Sequence, residues 1–208
     1  MLYQFRRELI EKLLDENEVV IVTPFGAHID DFCTMGCRMI DIPIDRRGIN
    51  PKTDLTLYKR YKRVLKEERP DKVITYSIKP NIYAGFACRM TKIPYYVNVQ
   101  GLGTAFQKRG LAAVVTIMYK IALKKARTVF FENEAYAQEF IDRKILKRDK
   151  VTVLHGAGIN LERFVYQPYP SEDGGIHFLY IGRIMKEKGM DELFTSAKNL
   201  KADRKSVV

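Results

Sequence analysis

Residues 182–189 read Gly182-Arg183-Ile184-Met185-Lys186-Glu187-Lys188-Gly189 and stand between two patterns of different period. Before them runs Ile176-His177-Phe178-Leu179-Tyr180-Ile181, which has the length and composition of a buried strand. After them Met190, Leu193, Phe194, Ala197 and Leu200 recur at helical spacing. The stretch is therefore a strand–glycine loop–helix junction carrying Arg183, Lys186 and Lys188. Unpaired N–H groups and the helix dipole make a helix start positive, and the added cations suit a phosphate or diphosphate. A solvated loop with ordinary surface lysines fits the same spacing, because one glycine loop is a weak signal.

The alternation continues through the rest of the chain. Leu2, Phe5, Leu9, Ile10, Leu13 and Leu14 form an apolar stripe, which predicts a helix over 2–16. Strands are expected over 18–24, 38–44, 72–76, 94–99, 127–131 and 151–154. Helices are expected over 29–35, from the cap and first-turn proline Asn50-Pro51 to 68, from Pro80 to 90, over 111–126 and over 133–143. Strands alternating with helices in this way predict parallel βαβ units in a doubly wound, Rossmann-like α/β sheet. Ligands of such sheets bind beyond the carboxyl ends of the strands. Pro168, Pro170 and Gly174-Gly175 mark a linker, so the expected division is 1–168, a linker at 169–175 and a second unit at 176–208.

Tyr180 through Gly189, followed by Met190-Asp191-Glu192-Leu193, closely resembles the junction that opens the C-terminal domain of glycosyltransferase family 4 (glycosyl transferases group 1, capsular and surface polysaccharide type). These are retaining, nucleotide-sugar-dependent enzymes of the GT-B fold. The resemblance implies an N-terminal acceptor-side domain followed by the start of a donor-binding one. It also implies that Arg183 and Lys188 hold the donor diphosphate. His155-Gly156-Ala157-Gly158-Ile159-Asn160 resembles the family's Gly-x-Gly-Val-Asn phrase, which implies a donor-side role for Gly158 together with Gly182.

Two further loops carry the resemblance. Thr75 through Asn81 is similar to members acting on lipid-linked precursors, which implies acceptor-side roles for Ser77, Lys79 and Asn81. By chemistry alone these residues equally describe a capped helix with an exposed lysine. Asn98 through Phe106 resembles capsule and glycan-assembly members, which implies the same side for Gln100, Gly101, Gly103 and Thr104. Many members place a histidine where Gln100 stands. Glutamine hydrogen-bonds but does not shuttle a proton, so no catalytic residue is assigned. Glu132 and Glu134 suit sugar hydroxyls, although a helix start also simply favours acids.

Composition bounds the partners. The 208 residues carry a net charge of +11, and 46% are hydrophobic. A basic surplus favours polyanions, anionic membranes or phosphorylated substrates. No zinc-finger spacing or RNA-recognition signature is present, so nucleic acid is not expected. No apolar run is long enough to span a bilayer, and the N-terminus lacks a signal-peptide core. Cys33, Cys37 and Cys88 form no disulfide framework, which suits a reducing cytoplasm, and the three histidines are scattered. Neither a metal nor another cofactor is expected. In the helix at 111–126, Thr116, Lys120 and Lys124 share a stripe that could lie on an anionic bilayer, but a sheet-covering helix is the favoured reading.

The expected function is retaining transfer of a sugar from a nucleotide sugar, UDP-linked, to a lipid-linked saccharide in surface polysaccharide or glycan biosynthesis. The expected place is the cytoplasm, peripheral on the inner membrane face. In the resembling family a strand and glycine-rich turn precede the first helix, and a glutamate pair and nucleotide pocket follow the second junction. The expectation is therefore a chain truncated at both ends. Its alternative reading is an inactive fragment acting at most as a binding module.

Overall fold

The computed structural model describes residues 2–45, 50–103, 106, 109–169 and 178–202. Its elements in chain order are α1 (Leu2–Leu14), β1 (Val20–Thr23), α2 (Ile29–Thr34), β2 (Arg38–Asp41), α3 (Pro51–Glu68), β3 (Val73–Tyr76) and α4 (Ile78–Thr91). There follow β4 (Tyr95–Val99), α5 (Arg109–Leu123), β5 (Thr128–Phe131), α6 (Glu134–Asp142), β6 (Val151–Val153) and α7 (Met190–Ala202).

Local chemistry sets most boundaries. Asn50 caps α3 by accepting the Lys52 N–H at 3.0 Å, with Pro51 in the first turn where no N–H is needed. Asn133 caps α6 in the same way through the Tyr136 N–H at 2.9 Å. α3 and α4 both stop on a left-handed residue, Arg69 and Lys92. α4 begins at Ile78, not at Pro80 as the proline suggests. Proline is tolerated anywhere in a first turn, so it marks that turn without fixing its first residue.

All the strand pairs are parallel, but they form two sheets where the sequence predicts one. β1 pairs with β2, and β3-β4-β5-β6 form a second sheet in sequence order. Each helix that follows a strand after a short loop starts beside that strand's carboxyl end. The register runs Tyr76 to Asn98, Asn98 to Phe130 and Phe130 to Thr152, so the carboxyl ends of the larger sheet lie side by side. Val22 and Ile44 of the smaller sheet's side pack against the main core.

That core is aromatic at its centre. Phe131 and Phe140 lie edge to face at 5.1 Å, and Tyr119 meets Phe140 at 5.1 Å. Such pairs add to the burial term that holds the layers together. α4 is buried on most of its circumference, and it approaches α5 through Gly85, whose added Cβ would lie 3.4 Å from Ala122.

The chain divides into two units, Met1–Ile159 and Asn160–Val208. This division comes before the expected boundary at residue 168. Asn160 heads a local turn, accepting the N–H groups of Glu162 and Arg163 on its side chain and that of Phe164 on its backbone oxygen. In the second unit the expected strand at 176–181 is absent over its described part, and Phe178, Leu179, Tyr180 and Ile181 are all exposed. A strand is stable only when its backbone groups are paired, and no described neighbour pairs with these residues. The helix expected after Gly189 forms as α7.

Candidate functional site

The carboxyl edge of the larger sheet gathers the loops that follow β3, β4, β5 and β6. After β3, Ser77 has φ 74 and ψ 158, a region that a residue with a Cβ rarely occupies. Its side chain is exposed and makes no cap, while its carbonyl accepts the Asn81 N–H at 2.9 Å. After β4, Gly103 has φ +64, and an added Cβ would lie 2.8 Å from Ile78 Cδ1. The loop after β4 thus packs onto the first residue of α4, beside Ser77. Gln100 and Gly101 are half-buried on the same loop. Thr104 lies outside the described residues. After β6, Gly156 and Gly158 have φ of +78 and +81 with open space around them, so backbone conformation is what calls for glycine.

Two residues expected at the acceptor side point elsewhere. Lys79 Nζ is 2.6 Å from Asp54 Oδ1, and the side chains are only 15% and 13% exposed. The lysine therefore ties α4 to α3. Asn81 is 1% exposed and donates to the Asn98 backbone oxygen at 2.9 Å. Asn98 in turn donates to the Thr75 oxygen at 3.4 Å, so the pair links β3, β4 and α4 inside the protein. Both residues hold the edge in shape from behind.

Sequence reasoning missed Arg6. It is buried in α1, its Nη2 lies 2.7 Å from Glu132 Oε1, and its Nη1 donates to the Ala157 oxygen at 3.3 Å. The guanidinium also lies 5.5 Å from the centre of the Tyr76 ring. Burial pushes the Tyr76 phenol up, and Arg6 offsets part of that shift. One side chain therefore joins the ends of β3, β5 and β6. The available signal was its position four residues before buried Ile10, on the inward stripe of α1. Glu134 is paired with Arg148, which holds its carboxyl below the usual range.

The second unit is a separate body. Gly182, Arg183 and Lys188 are all exposed. The Arg183 and Lys188 side chains have no hydrogen bond or ion pair among the described residues. Lys188 lies in a 3-10 turn, Lys186–Lys188, that Gly189 ends at φ 72. Asp191 and Glu192 occupy the first turn of α7, and an anion bound there would have to compete with them. Among the described residues no group of three His, Cys, Asp or Glu side chains is arranged to hold a metal ion. No described helix is long and apolar enough to cross a membrane.

Parallel strands carrying glycine-bearing loops on one carboxyl edge define a Rossmann-like α/β protein. A family profile described as a glycosyl transferase 4-like domain matches residues 4–157, and the chain belongs to that family. It is 29% identical to N,N'-diacetylbacillosaminyl-diphospho-undecaprenol alpha-1,3-N-acetylgalactosaminyltransferase of Campylobacter jejuni, over 96% of this chain and 58% of that one. It is also 29% identical to the capsular polysaccharide biosynthesis glycosyltransferase CapM of Staphylococcus aureus, over 71% of this chain and 43% of that one. The chain thus spans about half the length of these relatives. Among solved structures, a glycosyltransferase from Rickettsia africae superposes with a TM-score of 0.55 at 20% identity, covering 76% of this chain and 41% of that one. MurG of Acinetobacter baumannii superposes at 0.52 and 17%, covering 94% and 51%. These likenesses uphold the fold class.

Proposed function

We propose that this chain supplies the acceptor-side domain, and the opening of the donor domain, of a retaining glycosyltransferase. The enzyme would move a sugar from a nucleotide sugar, UDP-linked, to a lipid-linked saccharide in surface polysaccharide or glycan assembly, at the inner face of the cell membrane. The observation that carries the reading is a coincidence of position. The family match at 4–157 covers the strands whose carboxyl ends bear the strained Ser77 and the glycines Gly101, Gly103 and Gly158. The C. jejuni relative's name includes a diphospho-undecaprenol, which supports a lipid-linked acceptor. A further fold neighbour, with a TM-score of 0.51 and 14% identity, is S. aureus MnaA solved with UDP, which agrees with a UDP donor.

In this reading Arg183 and Lys188 neutralise the departing diphosphate, the kind of charge stabilisation that lowers transfer barriers. Ser77, Gln100, Gly101 and Gly103 face the acceptor, while Gly158 and Gly182 give the donor close backbone approach. Neither metal nor resident cofactor takes part. Isothermal calorimetry with UDP and UDP-sugars tests it. The expected result is binding at millimolar affinity or tighter that Arg183→Ala abolishes, and binding unchanged by that substitution would overturn the donor assignment.

A second reading has this chain binding without transferring. It is favoured by the exposure of Phe178, Leu179, Ile181 and Ile184, since no packed sheet surrounds Arg183 among the described residues. Labelled-sugar transfer in an acceptor screen separates the two, since a purely binding chain gives nucleotide binding without product.

A further inference from the structure

Two carboxylates follow β5, and the structure sets them to different work. Glu134 lies in the first turn of α6, more than half exposed, and is paired with Arg148. That is the ordinary use of an acid at a helix start. Glu132 stands before the cap Asn133, outside the helix, so the helix does not account for it. Among the described residues its side chain is joined only to Arg6, through Oε1 at 2.7 Å. Oε2 has no hydrogen bond among them, and the side chain is 24% exposed. A carboxylate offers about four lone-pair positions, so Glu132 keeps room for a further donor.

Arg6 is a costly anchor. Its side chain is 7% exposed, and its Nε is buried with no hydrogen-bond partner among the described residues. An orphaned buried donor costs about 1–3 kcal/mol. A buried ion pair is often replaced by apolar side chains without loss of stability, so stability alone does not call for this one. What the pair provides is a carboxylate held in one place. Arg6 is itself fixed by the Ala157 oxygen at 3.3 Å and by the Tyr76 ring beneath it. The residue after Tyr76 is the strained Ser77, and the left-handed Gly156 and Gly158 flank Ala157. Strain of this kind concentrates where ligands bind, and ligands of parallel sheets sit at this edge.

The pairing also selects the ligand. Arg6 offsets the charge of Glu132, so the free oxygen suits neither a metal ion nor an ammonium group. A phosphate would meet an acceptor where it needs a donor. A neutral hydroxyl or amide N–H is the donor that fits, and a sugar ring carries several. We propose that Glu132 accepts a hydroxyl of the acceptor saccharide as a specificity-determining residue, with Arg6 as the positioning residue behind it. The proposal rests on the acceptor-side reading above and adds what discriminates among sugars there. A site that hydrogen-bonds a hydroxyl rejects the sugar lacking it, because the site's polar group is then left unpaired.

Saturation-transfer NMR of the whole chain tests it, with methyl glycosides of glucose, galactose, mannose and their N-acetylamino forms, and monodeoxy analogues of the best binder. The expected result is one deoxy analogue that binds about tenfold more weakly than its full sugar, the size of one hydrogen bond to a charged group. Glu132→Gln loses that preference, while Glu134→Gln keeps it. Arg6→Met weakens the preference and Arg6→Lys restores part of it, which a purely structural role would not produce. Circular dichroism shows which variants keep the fold, and the conservative, part-exposed Glu132→Gln carries the test if Arg6→Met does not. UDP calorimetry runs alongside. Sugar discrimination through Glu132 without UDP binding leaves this proposal standing and sinks the donor assignment. The proposal is overturned if no glycoside binds, whatever UDP does, or if Glu132→Gln discriminates like the parent. It is also overturned if the cationic methyl glucosaminide is preferred to every neutral glycoside.

Discussion

Lys79 and Asp54 form an ion pair at 2.6 Å that bolts the start of α4 to the first turns of α3. Burial foremost, and the nearby Asp54 carboxylate after it, raises the Tyr83 phenol's pKa. Removing the carboxylate leaves an ammonium with little access to water. Asp54→Asn is expected to lower the unfolding free energy by about 3 kcal/mol, read by urea denaturation. Adding Lys79→Met should recover part of the loss. If the single substitution costs nothing, Lys79 is free to serve a ligand and the pair is incidental.

Ser77 offers the opposite sign. Its backbone region costs a residue with a Cβ about 1–3 kcal/mol, while glycine enters it freely at a smaller entropic cost. Ser77→Gly is expected to stabilise the fold by about 1 kcal/mol, and Ser77→Ala to leave it nearly unchanged. A destabilised Ser77→Gly would mean that the hydroxyl, and not the backbone, is what the junction needs.

At Gly103 two costs can be separated. Gly103→Ala meets both the positive φ and the 2.8 Å approach to Ile78 Cδ1. A loss of about 1–3 kcal/mol is expected. Ile78→Val removes the clashing carbon, so the double variant should retain only the backbone share. Simple additivity in thermal unfolding would show that the two residues do not meet.

Alkaline pH should loosen the core. Burial raises the Cys88 thiol from 9.0 to about 12, and burial foremost raises the Tyr95 phenol from 10.0 to about 12. A folded pKa above the unfolded one means that the native state keeps its protons longer. This contribution is complete below pH 9 and is lost as pH rises from there through 12. Unfolding free energies measured across that range should fall, and Cys88→Ala should make the fall shallower. An equally steep curve in that variant would place the titrating group elsewhere.

The sequence by itself determined the alternation of elements in the first unit, most strand positions there within a residue or two, and the family, because period and capping chemistry are local. Asn50-Pro51 and Asn133 mark helix starts without help from the rest of the chain. Only the tertiary structure decided what the polar residues at the edge do. Lys79 and Asn81 read as cleft donors until packing turned one onto Asp54 and the other onto the β4 backbone. Arg6 has no role in the sequence reading, and only the topology carries it across to Glu132 and Ala157, residues far away in sequence. The same holds for the helix expected over 111–126, whose apolar positions the structure divides into a buried side and an exposed one with Val114, Ile117 and Ile121. Local period shows which residues share a side of a helix. Which side meets the sheet and which meets solvent depends on neighbours distant in the chain.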